Sequence, residues 1–244
     1  MDRWEFKPAG DLGLSWRERL TSLRRETGLL GLLTRHLWRG VLRLYFGLWH
    51  RLRVEGAENL PREAPFIVIA NHASHLDALA LSIALPPRFA DCIFPLAAGD
   101  TFFTGAGSST FAAIALNALP IWRRKTRPEH LATLRGRLRE QACIYILFPE
   151  GTRSRDGMMA AFKPGLGCLV AGTLVPVVPC HIDGAFAAFP PHARLPRARR
   201  IVIRVGAPLH FADQPNDRAG WHAIAAAAET AVRGLASPRL PALL

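Results

Sequence analysis

The chain has 244 residues, a formal net charge of +12 at pH 7, and hydrophobic residues at half of its positions. That length supports one large domain with a sizeable core, and the composition excludes a disordered chain. Such a charge implies an anionic partner: nucleic acid, phospholipid headgroups or phosphorylated small molecules.

Residues 1–53 form a basic segment, with eleven Arg or Lys against five Asp or Glu and four of the six tryptophans (Trp4, Trp16, Trp38, Trp49). The opening Met1-Asp2-Arg3-Trp4-Glu5 mixes charges and holds no apolar run, so no signal peptide is expected. From Leu29 to Arg53 the pattern is helical. Arg35, Arg39 and Arg43 recur every fourth residue on one face, with Leu33, Leu37, Leu44, Tyr45 and Leu48 on others. A basic helix with Trp and Leu opposite its charges suits a membrane interface. The alternative is a helix packed on the domain with its basic face solvated. No window reaches the ~18–20 apolar residues that a membrane-spanning helix requires, so the expectation is a protein that touches a membrane without crossing it.

Leu52 to Gly56 is predicted as a first strand. The unbroken apolar run Phe66 to Ala70 predicts a strand buried on both faces, ending at a turn over Asn71-His72. Ser74-x-x-Asp77 is a helix start signal, which places the next helix near Ser74. Within one helix, His72 and Asp77 would point about 140° apart. Split between a turn and a helical start, they can meet. A carboxylate on one imidazole nitrogen fixes the tautomer and leaves the other nitrogen as a base. The alternative is that Asp77 only caps the backbone of Ser74. His72-x-x-His75-x-Asp77 has no further ligands in view, so no metal site is expected. Ile93 to Ala97 is predicted as another buried strand. The Gly-rich stretch Gly105 to Ser109 lacks the third glycine of a dinucleotide fingerprint and the lysine of a P-loop, so it implies no cofactor.

Leu119 to Trp122 leads into the basic run Arg123 to Arg127. Thr126 and Glu129 form a second capping box before a helix with a Leu131, Leu134, Leu138 stripe; Arg135, Arg137 and Arg139 are expected on its solvated face. Cys143 to Phe148 is a strand entering Pro149-Glu150-Gly151-Thr152-Arg153-Ser154, and Phe162-Lys163-Pro164-Gly165 opens a further helix. Leu174 to Pro179 and Ile201 to Val205 are the remaining strands, and Asn216 to Leu235 is an Ala-rich terminal helix. The alternation predicts an α/β fold: a mixed, largely parallel sheet flanked by helices, with an N-terminal basic amphipathic helical segment. The expected organisation is 1–53 for membrane association, 54–236 for the domain and 237–244 as a tail. Cys92, Cys143, Cys168 and Cys180 form no Cys-x-x-Cys pair and are expected as reduced core thiols in a cytosolic compartment.

Asn71-His72-x-x-x-x-Asp77, followed by Phe148-Pro149-Glu150-Gly151-Thr152-Arg153-Ser154, resembles the glycerolipid (lysophosphatidate-type) acyltransferase family. Leu119 to Arg123, Phe162 to Gly165 and Val175 to Pro179 fit the same pattern, and the resemblance covers about residues 50 to 235. It implies transfer of a fatty acyl group from acyl-CoA or acyl-ACP to a hydroxyl of a lysophospholipid, most directly 1-acylglycerol-3-phosphate. It also implies His72 and Asp77 as the catalytic base pair, and Asn71, Arg123, Glu150, Gly151, Thr152 and Arg153 as substrate-binding residues. The start of the Ser74 helix would offer N–H donors to the developing oxyanion. No metal or cofactor is implied. The expected partners are the lysolipid, the thioester donor and an anionic membrane, with the protein peripheral on the cytoplasmic face. Two positions depart from the pattern: Leu96 to Asp100 lacks a lysine frequent there, and Trp122 stands where an acidic residue is frequent. Both bear on the acceptor rather than on the reaction. The rival readings are a different or phosphate-free acceptor, and a non-catalytic protein that binds acidic membranes. Nucleic-acid binding lacks any helix-turn-helix, zinc or aromatic-strand signature, and is not expected.

Overall fold

The computed structural model describes residues 11–23, 28–99, 109–110, 112–113, 116–121 and 128–236. In chain order these form α1 (Trp16–Thr21), α2 (Leu29–Leu48), β1 (Arg53–Glu55), β2 (Phe66–Ala70), α3 (Asp77–Ala84), β3 (Ile93–Ala98) and β4 (Leu119–Ile121). Then follow α4 (Pro128–Glu140), β5 (Ile144–Leu147), α5 (Gly165–Val170), β6 (Val177–Asp183), α6 (Ala185–Ala188), β7 (Val202–Val205) and α7 (Arg218–Gly234). The strands make one sheet in the order β1-β7-β6-β2-β5-β3-β4. Each neighbouring pair is parallel except β6 with β7. The expected mixed, largely parallel sheet flanked by helices is therefore the one found.

The unbroken apolar runs follow from burial on both faces. Phe66, Val68 and Ala70 of β2 face a layer containing α2 and α3, while Ile67 and Ile69 face α4, α5 and α7. β6 begins at Val177 and runs on to Asp183, beyond the expected Leu174–Pro179. Its second half alternates Cys180 and Ile182 with His181 and Asp183, and those polar residues disguised it as loop. All four cysteines are free thiols, with Cys143 and Cys180 buried.

Connectivity places the site. β2 leaves through α3 toward β3, whereas its neighbour β5 leaves through α5 toward β6, on the opposite side in the strand order. The two connections run in opposite directions on opposite faces of the sheet, and open α/β sheets bind ligands at the carboxyl ends of adjacent strands whose connections part in this way. Ile69 pairs with Leu147, so the loops after β2 and β5 emerge level with each other.

α2 exposes a stripe of leucines and buries two of its arginines, which overturns the alternative of a packed helix with its basic face solvated. Arg35 and Arg39 are buried, while Leu33, Leu37, Val41, Leu44 and Leu48 are exposed, Leu37 by 74% and Leu48 by 75%. The cause is the end of α3. Arg39 donates to the carbonyls of Ser82 (2.8 Å) and Leu85 (3.4 Å), which a helix C-terminus leaves without intrahelical partners. Burial lowers the pKa of Arg39 to about 10. Leu42 and Phe46 on the same side join the core of the sheet. Two of the three α4 arginines are likewise not solvated as expected. Arg135 donates to the carbonyls of Cys168 and Ala171 at the end of α5. Arg137 donates to Leu23 and Gln141 and lies over the Phe94 ring, leaving Arg139 exposed. Thr126, the expected cap of α4, lies outside the described residues.

Candidate active site

His72 is held on every side by its loop and by the segment after β5. Its backbone N–H donates to Glu150 Oε1 at 2.6 Å, and its carbonyl accepts from the Ser154 N–H at 2.8 Å. The ring stacks on Phe148, with centroids 4.1 Å apart and planes 17° apart. Its Nδ1 lies 2.9 Å from Asp77 Oδ2. A carboxylate oxygen accepts, so Nδ1 carries the proton and Nε2 keeps its lone pair. Nε2 has no hydrogen-bond partner among the described residues.

Asp77 unites the two readings drawn from sequence. It is 1% exposed, and Oδ2 also accepts from the N–H groups of Ala73 (2.7 Å) and Ser74 (2.8 Å). It thus ties the loop and orients the histidine with one oxygen. The expected capping box is half formed: Asp77 accepts from the Ser74 N–H, but the Ser74 hydroxyl accepts from the Leu76 N–H rather than that of Asp77, and α3 begins at Asp77 rather than Ser74. Because the Ala73, Ser74 and Leu76 amides are already donating, the helix start does not offer those N–H groups to an oxyanion.

The other expected residues divide into two groups. Asn71 and Glu150 face the protein. The Asn71 side chain donates to the Ile182 carbonyl and accepts from the Ile182 N–H, bridging β2 to β6. Glu150 is 2% exposed, and its second oxygen accepts from the Ala160 N–H at 2.9 Å, so its carboxylate braces loops. Burial raises its pKa, and these two backbone donors oppose the rise. Gly151 and Arg153 are half-buried in the loop after β5. Gly151 has φ +73°, and a Cβ there would lie 2.8 Å from Lys163 Nζ, so a side chain would displace the lysine. Thr152 is exposed. Arg153 Nη1 is buried without a hydrogen-bond partner among the described residues. Burial lowers the pKa of Arg153, and the nearby Asp77 carboxylate offsets this in part. Arg123 lies outside the described residues.

Sequence reasoning missed two contributors. Lys163 lies across the Gly151 turn, an ammonium beside a turn adjoining Arg153. On α7, Glu229 accepts from the Phe162 N–H (2.9 Å) and pairs with Arg233, which donates to the Met159 carbonyl. α7 thereby clamps the loop that Ala160 ties to Glu150. Only the Phe-Lys-Pro-Gly pattern around Lys163 gave any local signal. Among the described residues no group of three or more His, Cys, Asp or Glu could hold a metal.

A family model described as Acyltransferase matches residues 51–183, more than half of the chain. The chain belongs to the Acyltransferase family. It is 34% identical over 131 residues to human 1-acyl-sn-glycerol-3-phosphate acyltransferase alpha, covering 53% of this chain and 44% of that protein. A 1-acyl-sn-glycerol-3-phosphate acyltransferase of Chlamydomonas reinhardtii is 31% identical over 148 residues, covering 58% of this chain and 41% of that protein. The chain thus spans less than half the length of these relatives. The crystal structure of the 1-acyl-sn-glycerophosphate acyltransferase of Thermotoga maritima has the same fold, with TM-score 0.61, 24% identity, and coverage of 82% of this chain and 77% of that one.

Proposed function

We propose that the protein moves a fatty acyl group from a thioester, acyl-CoA or acyl-ACP, to the free hydroxyl of a lysophospholipid, most directly 1-acylglycerol-3-phosphate to give phosphatidate. The observation that carries this reading is a histidine at the carboxyl end of β2 with Nδ1 bound by a buried carboxylate and Nε2 without a hydrogen-bond partner among the described residues. In the reaction, Nε2 takes the hydroxyl proton as the oxygen attacks the thioester carbonyl, and Asp77 stabilises the imidazolium. Collapse of the tetrahedral intermediate breaks the C–S bond, and the departing thiolate takes the proton back from Nε2. The thioester is already activated, so the route uses no covalent enzyme intermediate.

Arg153, Lys163 and the Gly151 turn form the acceptor's phosphate side, with Arg123 assigned to the same role by its motif. A guanidinium with an uncommitted nitrogen suits a phosphomonoester, which it can grip through two N–H groups. Asn71 and Glu150 act as positioning residues, because their polar atoms already bond to backbone. The protein works peripherally on a membrane, with the exposed leucine stripe of α2 in the apolar layer. No helix among the described residues is long and apolar enough to cross a bilayer.

The test is release of free CoA thiol when the protein meets acyl-CoA and lysophosphatidate, with phosphatidate as the lipid product. Thiol release without acylated lipid would be simple hydrolysis and would contradict the reading. Release that proceeds equally with monoacylglycerol would retain the acyl transfer and remove the phosphate assignment.

A further inference from the structure

Beyond the matched segment 51–183, the chain carries a second cluster of positive charge. From Gly184 to Ala212 there is no Asp or Glu, and Arg194, Arg197, Arg199 and Arg200 follow one another closely. All four are exposed, and none forms an ion pair with a described residue. Leu195, within the same loop, is 77% exposed.

Backbone pairing fixes where this loop lies. β7 is antiparallel to β6, with Val202 opposite Asp183, so the loop enters β7 at the edge where β6 ends. That edge holds His72 after β2 and Arg153 after β5, since β2, β5 and β6 are mutually parallel. The loop is also joined to the end of α2. The buried His50 donates from Nδ1 to the Arg199 carbonyl at 3.0 Å, and its own carbonyl accepts from the Ile201 N–H at 3.0 Å. Arg197 is pinned by its N–H to the Ala188 carbonyl at 2.7 Å. The exposed Leu44, Leu48 and Trp49 at the end of α2, with the exposed Arg51 and Arg53, therefore border the basic loop.

We infer that the loop His192–Arg200 is an anionic-lipid contact that seats the active-site edge on the bilayer. Arginines at headgroup depth beside exposed leucines and a tryptophan match a surface that is negative outside and apolar beneath. A nucleic acid would satisfy the arginines and leave Leu195, Leu48 and Trp49 in water. The choice of a lipid surface rests on the acyl-transfer reading above. The consequence is specific: the four arginines of this loop carry most of the attraction to anionic lipid, with Arg51 and Arg53 beside them, while the α2 stripe supplies the apolar contact.

The experiment compares the full chain with an Arg194→Gln, Arg197→Gln, Arg199→Gln, Arg200→Gln variant in sedimentation with phosphatidylcholine vesicles, with and without phosphatidylglycerol. The wild type should prefer the anionic vesicles, and added salt should erase the preference. The variant should lose at least about tenfold in partitioning onto anionic vesicles, since each arginine near such a surface is worth roughly fivefold. Its binding to phosphatidylcholine alone, and its thiol release with a short-chain monomeric lysophosphatidate, should match the wild type. A variant that keeps the anionic preference overturns the inference. An anionic preference that moves to RNA in competition also overturns it, in favour of a nucleic-acid surface. Absence of thiol release from the wild type with every acceptor would instead contradict the proposed function, and the vesicle result would stand apart from it.

Discussion

Two buried carboxylates grip the same histidine from different sides, and they do different things to it. Asp77, five residues on, binds the ring nitrogen and two neighbouring amides with one oxygen. Glu150, 78 residues on, binds the backbone N–H of His72 and, with its other oxygen, that of Ala160. Asp77 sets which ring nitrogen is left free; Glu150 sets where the loop that carries it sits. In the proposed reaction, chemistry and placement are divided between the loops after β2 and β5, and the division can be probed by variants that touch one carboxylate at a time.

The largest effect belongs to Asp77→Asn. An amide oxygen can still accept from Ala73, Ser74 and His72, so the loop should hold while the charge that stabilises the imidazolium is lost. We expect kcat to fall by about two orders of magnitude or more with the melting temperature little changed. A protein that unfolds instead would make Asp77 a loop tie only. Next comes Arg153→Ala, which should cost about 2–4 kcal/mol of transition-state binding with lysophosphatidate and little with a phosphate-free acceptor. Arg153→Lys should fall between, because it keeps the charge and loses the fork. If donor KM rises while acceptor KM holds, the guanidinium serves the donor's phosphates.

Glu150→Gln should act through placement. Its NH₂ group must face one of two N–H donors, so stability should drop by about 1–3 kcal/mol and kcat/KM by about tenfold. A loss as deep as that of Asp77→Asn with unchanged stability would break the distinction between the two carboxylates. Smaller still is Glu229→Gln, which loosens the α7 clamp on the Met159–Phe162 loop; an increase of about threefold to tenfold in acceptor KM with little change in kcat would show it. The mildest effect is on acid stability. Burial lowers the pKa of His50, so the folded state binds the proton less readily than the unfolded chain. The stability it contributes is intact above about pH 6.5 and is lost as pH falls through the lowered folded value. Thermal melts should show this decline in the wild type and a shallower one in His50→Gln.

The same contrast explains what was legible in the sequence. β2 and β5 could be read because burial on both faces leaves unbroken apolar runs, and the His72–Asp77 pair because its members are neighbours in the chain. Glu150 was singled out by its motif but not by its role, since its partners His72 and Ala160 belong to other loops. That Arg35 and Arg39 of α2 turn inward was not legible for a similar reason. Local periodicity shows where arginines lie together, but the α3 carbonyls that draw Arg39 inward are 43 and 46 residues away. The α7 clamp left no trace at all, because Glu229 and Phe162 meet only through the fold.

The central claim is that Asp77 fixes His72 with Nε2 open as the base. Nitrogen NMR of the ¹⁵N-labelled His72 ring, assigned by comparison with His72→Ala and recorded where the ring is neutral, tests it directly. The account predicts a protonated Nδ1 and an unprotonated Nε2 in the wild type, with that tautomer preference weakened in Asp77→Asn. A wild-type ring carrying its proton on Nε2 would contradict it, because the nitrogen not bound by Asp77 would then have no lone pair with which to take the hydroxyl proton.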